Sequence, residues 1–203
     1  MNSAPSSLFD QLTLPNGARL KNRIVKSAMS DSLGDGRGNP TLAQIRLYER
    51  WAEGGSAASI IGEVQGDPSF PERPGNLVLD EASNAEAFAS LATRGTIDGA
   101  HLWLQLGHAG ALTPPAIGTP KGPSALDMPE LQAGELSLDE ILELPKRLAA
   151  TAVRAERLGF TGVQIHAAHG FLLSQFLSPL FNRRTDAYGG DIANRTRVLI
   201  EVV

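Results

Sequence analysis

The sequence predicts an α/β fold of the (β/α)₈, or TIM-barrel, kind, present as its N-terminal half: about four β-α units behind an N-terminal β-hairpin plug. Three observations lead there. Short apolar runs rich in β-branched residues alternate with helical patterns, the mark of repeated β-α units around a parallel sheet. The long loops all follow strands while the returns from helix to strand are short, which builds one functional face at the C-terminal ends of the strands. No Gly-x-Gly-x-x-Gly turn follows the first strand, so a doubly wound dinucleotide-binding sheet, the rival architecture, lacks its main support.

The elements follow in order. Leu12 to Leu20 carries Asn16-Gly17 between alternating apolar residues, a strong hairpin signal; we place it over the barrel bottom. The first strand runs from Arg23 to Ala28, and a loop with Gly34, Gly36 and Gly38 leads to a helix near Leu42–Glu53 that opens after Thr41 and stops at Gly54-Gly55. The second strand is Ala58 to Val64; a Pro-punctuated loop, Asp67–Pro74, precedes a helix over Asn84–Thr93. The third is His101 to Leu106, followed by a long Pro/Gly loop to Ser137, where Ser137 and Glu140 form a capping box for a helix of about twenty residues ending before Gly159. The fourth is Gly162 to His166, then another long loop and a helix from about Ala193.

A closed barrel has eight strands and takes about 250 residues, so residues 1–203 are expected to be one domain, a partial barrel lacking its C-terminal half and leaving two strand edges open. The net charge is −4, with Lys+Arg 18 against Asp+Glu 22, and no basic run exists to neutralise a phosphate backbone; nucleic acid is not an expected partner. Cysteine is absent, which excludes disulfides and thiolate metal sites within this stretch. Met1 to Ser7 has no targeting pattern and no apolar run approaches a membrane span, so we expect a cytoplasmic protein that engages no membrane, with homo-oligomerisation left open.

Alternation sets Gln164 and His166 on one face of the fourth strand and the aliphatic Val163 and Ile165 on the other, so the polar pair is expected to point into the lumen, His166 at its mouth. His169 follows in His166-Ala167-Ala168-His169-Gly170, whose small residues let the chain turn and the imidazoles converge; such a pair suits an oxygen that gains negative charge. The alternatives are a loop-capping histidine beside an exposed one, or a metal pair needing more ligands than this half offers. Gln105, grouped with His101 and Trp103, has an amide that suits the mixed edge of a flavin pyrimidine ring, or a structural hydrogen bond. Ser27-Ala28-Met29-Ser30, ending the first strand, fits the underside of a flat heteroaromatic ring as well as it fits core packing.

Taken together, these segments resemble the Old Yellow Enzyme family from about Leu8 onward. The likeness rests on Leu8-Phe9-Asp10 with Leu20-Lys21-Asn22-Arg23-Ile24-Val25, on Gln105-Leu106-Gly107-His108-Ala109-Gly110, and on Ile165 to Gly170 with Gln175 to Pro179, Asn182 to Asp186, Tyr188-Gly189-Gly190 and Asn194-Arg195. The resemblance implies a non-covalent FMN, reduced by NADH or NADPH and reoxidised by hydride transfer to an electron-poor alkene. It implies flavin contacts at Ser27, Ala28, Met29, Ser30, Val64 (through its backbone), Gln105 and His166, and a substrate-oxygen pair at His166 and His169. Two positions depart from the pattern: Phe171 stands where the family has a proton-donating tyrosine, and Ser32 where some members have a substrate-contacting one. The alternative implied by Phe171 is a flavin- or small-molecule-binding barrel with little turnover, or an inactive fragment.

Overall fold

The structure is a computed structural model and describes residues 7–203; residues 1–6, most of the stretch read as free of targeting signals, lie outside them. β1 (Leu12–Thr13) and β2 (Arg19–Leu20) pair antiparallel, Leu12 opposite Leu20. Gly17 closes the turn at φ 87, and Asn16 Oδ1 accepts from the Ala18 N–H at 3.1 Å. Leu20 packs on Ala57 and Ala58 at the start of the second barrel strand, and Lys21 Nζ donates to the Asp98 carbonyl at 3.0 Å. The hairpin therefore covers the N-terminal ends of the strands, as expected.

The main sheet contains β3 (Val25–Met29), β4 (Ala58–Gln65), β5 (His101–Gly107) and β9 (Gly162–Ile165), ordered β3-β4-β5-β9 and parallel throughout. Between them run α1 (Leu42–Glu53), α2 (Ala85–Gly95) and α3 (Leu138–Arg157), and α5 (Ile192–Val202) follows β9. These are four consecutive β-α units of a (β/α)₈ barrel. β4 is buried along all eight residues, whereas β5 alternates, with Leu102, Leu104 and Leu106 buried and His101, Trp103 and Gln105 half-buried. The leucine face packs with Ile45 and Tyr48 of α1, Phe88 and Leu91 of α2, and Ala155 of α3. Each leucine buried in this way contributes roughly 1.5–3 kcal/mol.

Caps set the helix boundaries. Thr41 accepts from the Gln44 N–H, Asn84 from Ala87 and Asp191 from Asn194. Ser137 and Glu140 form the reciprocal capping box anticipated for α3. The strand ends differ by a residue or two: β3 extends to Met29 and β4 to Gln65, while β9 ends at Ile165, although the His166 N–H still donates to the Leu106 carbonyl at 2.9 Å.

Two loops hold structure that the sequence reading treated as irregular. The Pro/Gly segment after β5 folds into β6 (Lys121–Gly122), β7 (Leu126–Met128) and β8 (Leu131–Glu135), ordered β6-β8-β7. The loop after β9 contains α4 (Leu172–Leu177). Arg184, almost fully buried, clamps the two together: its guanidinium donates to the carbonyls of Pro123 and Leu136 and to the carboxylates of Glu135 and Asp186. Asn182 Nδ2 bridges the carbonyls of Phe176 and Tyr188, and Gln175 Nε2 those of Ala109 and Gly170. Much of the motif behind the family resemblance thus braces the loops.

Candidate active site

The C-terminal ends of β3, β4, β5 and β9 carry the residues the sequence singled out. On the concave face, Gln105 and Gln164 are directly paired in register, and Gln105 Nε2 donates to Gln164 Oε1 at 2.8 Å. Gln105 Oε1 in turn accepts from the Glu63 N–H at 3.4 Å. Ser27 and Met29 of β3 are exposed, while Lys26 turns the other way and donates to the Ile60 carbonyl at 3.1 Å over the Tyr48 ring. Ala28 is half-buried between them. Ser30 donates its hydroxyl to Glu72 Oε2 at 2.8 Å, which ties the end of β3 to the loop after β4. Val64 is fully buried with its side chain in the helix-side core.

Gly62 explains how β3 and β4 approach so closely. A Cβ there would lie 2.4 Å from the Met29 carbonyl carbon and 2.6 Å from its oxygen, so no larger residue fits without moving the strand end. Met29, Gln105 and Gln164 lie on β3, β5 and β9, and the two amides offer both donors and acceptors.

The histidine pair is brought together, though not as alternation alone predicts. His166 and His169 lie edge to face with ring centroids 5.0 Å apart, and Phe171 packs edge-on against His166 at 5.2 Å. His169 takes φ 57 and Gly170 φ 77, and these two left-handed residues turn the chain back toward α4; histidine is among the side chains that tolerate this region. His169 is exposed. His166 does not stand free at the mouth: it is 4 % exposed, because the returning loop and Phe171 cover it. Val163, assigned to the helix layer, is 37 % exposed because β9 has a strand neighbour on one side only. Ser32, at φ 55, is exposed and keeps its backbone within contact of Gly75.

Glu63 is the residue that sequence reasoning missed. Its Oε1 lies 2.8 Å from His166 Nε2, with both side chains almost fully buried. The signal was present, since a glutamate inside the apolar run Ile60-Ile61-Gly62-Glu63-Val64 is a charge where a strand core should carry none. His108 is the second: it stacks on Phe70 with centroids 4.0 Å apart, its Nδ1 accepts from the Gly110 N–H, and burial pushes its pKa down to about 4 against the opposing pull of Asp67. His108 and His166 line a small cavity of about 60 Å³ walled by Leu106, Leu144, Leu172 and Leu173. It lies toward α3, and none of Ser27, Met29, Gln105 or Gln164 lines it.

A parallel β/α array with its polar side chains gathered at the strand C-termini is the arrangement of the (β/α)₈ barrel enzymes. Within that class the chain belongs to the NADH:flavin oxidoreductase / NADH oxidase family, which it matches over residues 7–203. It is 36% identical to an NADPH dehydrogenase of Clostridium acetobutylicum over 97% of its own length and 58% of that protein's, and 33% identical to an NADH-dependent flavin oxidoreductase of Hypocrea jecorina over 95% and 54%. Among solved structures, it superposes on Old Yellow Enzyme from Pichia sp. with a TM-score of 0.89 at 27% identity, covering 96% of this chain and 54% of the other. The chain thus spans about half the length of these relatives. The resemblance to Old Yellow Enzymes is borne out, as is the partial barrel.

Proposed function

We propose that the protein this chain represents binds FMN on the platform of Ser27, Ala28, Met29, Ser30, Gln105 and the Val64 backbone, takes electrons from NADH or NADPH, and reduces electron-poor C=C bonds. Residues 1–203 supply the N-terminal part of that flavin barrel. The observation that carries this reading is the convergence of His166 and His169, rings 5.0 Å apart, beside the amide row of Gln105 and Gln164. Bound FMN would supply the hydride. The chain's own residues do the rest. Gln105 meets the pyrimidine edge of the ring with one donor and one acceptor. His166 and His169 hold the carbonyl or nitro oxygen of the substrate and stabilise the charge that builds there as hydride reaches the β-carbon. Phe171 walls the substrate side and holds His166 in place, but it has no proton to give. Proton delivery to the α-carbon therefore falls to water. The partner is accordingly a small-molecule alkene; the net charge of −4 argues against nucleic acid. Among the described residues no helix is long and apolar enough to cross a membrane, which is compatible with a cytoplasmic setting.

The test is NAD(P)H-dependent reduction of a cyclic enone and a nitroalkene by the FMN-loaded protein. His166→Ala and His169→Ala are each expected to slow alkene reduction by about 10²- to 10³-fold, as for loss of one oxyanion donor, with flavin still bound. Wild-type turnover in both variants would remove the assigned roles. A second reading, a flavin-binding barrel with little turnover, is favoured by Phe171 alone; it predicts bound FMN with no enone consumed.

A further inference from the structure

Glu63 sits where no strand residue settles at low cost. Its φ is 55, in the left-handed region, where a side chain bearing a Cβ costs on the order of 1–3 kcal/mol unless the surroundings enforce it. It lies in the bulge where β4 carries an extra residue against β5, between the pairs Ile61–Leu104 and Val64–Leu106. The side chain is 5% exposed, and a carboxylate buried without partners is strongly disfavoured.

Its surroundings are built to receive it. Oε2 accepts from Gln65 Nε2 at 3.3 Å, and the Glu63 N–H reaches Gln105 Oε1 at 3.4 Å. Gly107 leaves the space: a Cβ there would stand 2.6 Å from Glu63 Oε2. Oε1 lies 2.8 Å from His166 Nε2. That nitrogen is shut off from solvent and has no aligned hydrogen bond, so the carboxylate at 2.8 Å is its close polar neighbour.

We propose that Glu63 is a positioning residue for His166: its carboxylate, which only accepts, keeps a proton on Nε2 and dedicates Nδ1 to the ligand. The strained bulge is what aims the carboxylate across from β4 to the end of β9. Neutral His166 then presents Nδ1 as an acceptor, and it donates from Nδ1 to an oxygen gaining negative charge only as the imidazolium, whose charge the Glu63 carboxylate behind it balances, as catalytic imidazoles are oriented by a carboxylate. The catalytic meaning of this arrangement rests on the proposed role of His166, but the arrangement itself requires neither flavin nor substrate.

Nitrogen-15 NMR of the histidine-labelled chain in mildly alkaline buffer reads it directly. In the wild type, His166 is expected to carry its proton on Nε2, with Nδ1 bare. Glu63→Gln keeps the shape but places an amide donor against Nε2, and is expected to weaken or reverse that preference; a residue that only fills space would leave both nitrogen signals unchanged. Unchanged signals in Glu63→Gln, or a wild-type His166 with its proton on Nδ1, would overturn the proposal. Should Glu63→Gln fail to fold, the wild-type tautomer alone decides. Absence of enone turnover would count against the ene-reductase reading and leave these nitrogen signals as they are.

Discussion

His108 shows how one residue links burial to behaviour. Its Nδ1 accepts from the Gly110 N–H, so the ring is neutral with its proton on Nε2, and stacking against Phe70 leaves little room for a solvated charge. Burial lowers its pKa from 6.5 to about 4. The unfolded chain therefore takes up a proton at a higher pH than the folded one. Stability is retained above about 6.5 and declines as pH falls toward about 4, by at most on the order of 3 kcal/mol from this group. Urea unfolding at a series of pH values should show that slope, and His108→Asn, which keeps an acceptor near Gly110 but cannot titrate, should flatten it. An undiminished slope would assign the effect to another group. At this scale the sequence was most legible where residues stood in a motif. His166, His169 and Phe171 were found together and do lie together. The burial of His166 was not legible, because alternation describes a strand, and this ring lies where the strand gives way to a loop.

At the scale of elements, boundaries with chemical punctuation were read almost to the residue. α1 occupies Leu42–Glu53 because Thr41 caps it and Gly54-Gly55 follow, and α3 starts at Leu138 behind the Ser137/Glu140 box. That box is reinforced by Lys121, whose ion pair with Glu140 joins two Ser137 hydrogen bonds in holding the Glu140 carboxyl below its usual range. Ser137→Ala is expected to cost about 1 kcal/mol of unfolding free energy, measured by denaturant titration; a change within error would mean that the Lys121 contact alone secures the start of α3. The small sheet was illegible for the opposite reason. β6 is two residues long and β7 three, too short for a period to show, and their pairing depends on contacts far along the chain.

At the scale of the molecule, the long loops are one braced layer over the strand ends. Arg184 is the tie: it satisfies carbonyls on both sides of the small sheet while Asp186 and Glu135 balance its charge. Removing it leaves buried acceptors unpaired, so Arg184→Met should destabilise by on the order of 3 kcal/mol and speed hydrogen exchange at the amides of β6, β7 and β8 relative to β4 and β5. Uniform exchange across both sheets would show that the brace is not local.

The strand order β3-β4-β5-β9 repeats the order in which these strands are made. Each of the three later units meets a neighbouring strand already made, while the outer edge of β3 has no partner among these four. The carboxylate of Glu63 comes with the second unit and the imidazole of His166 only with the fourth. During synthesis Glu63 is therefore made before His166, and it gains that neighbour only when the fourth unit packs beside β5.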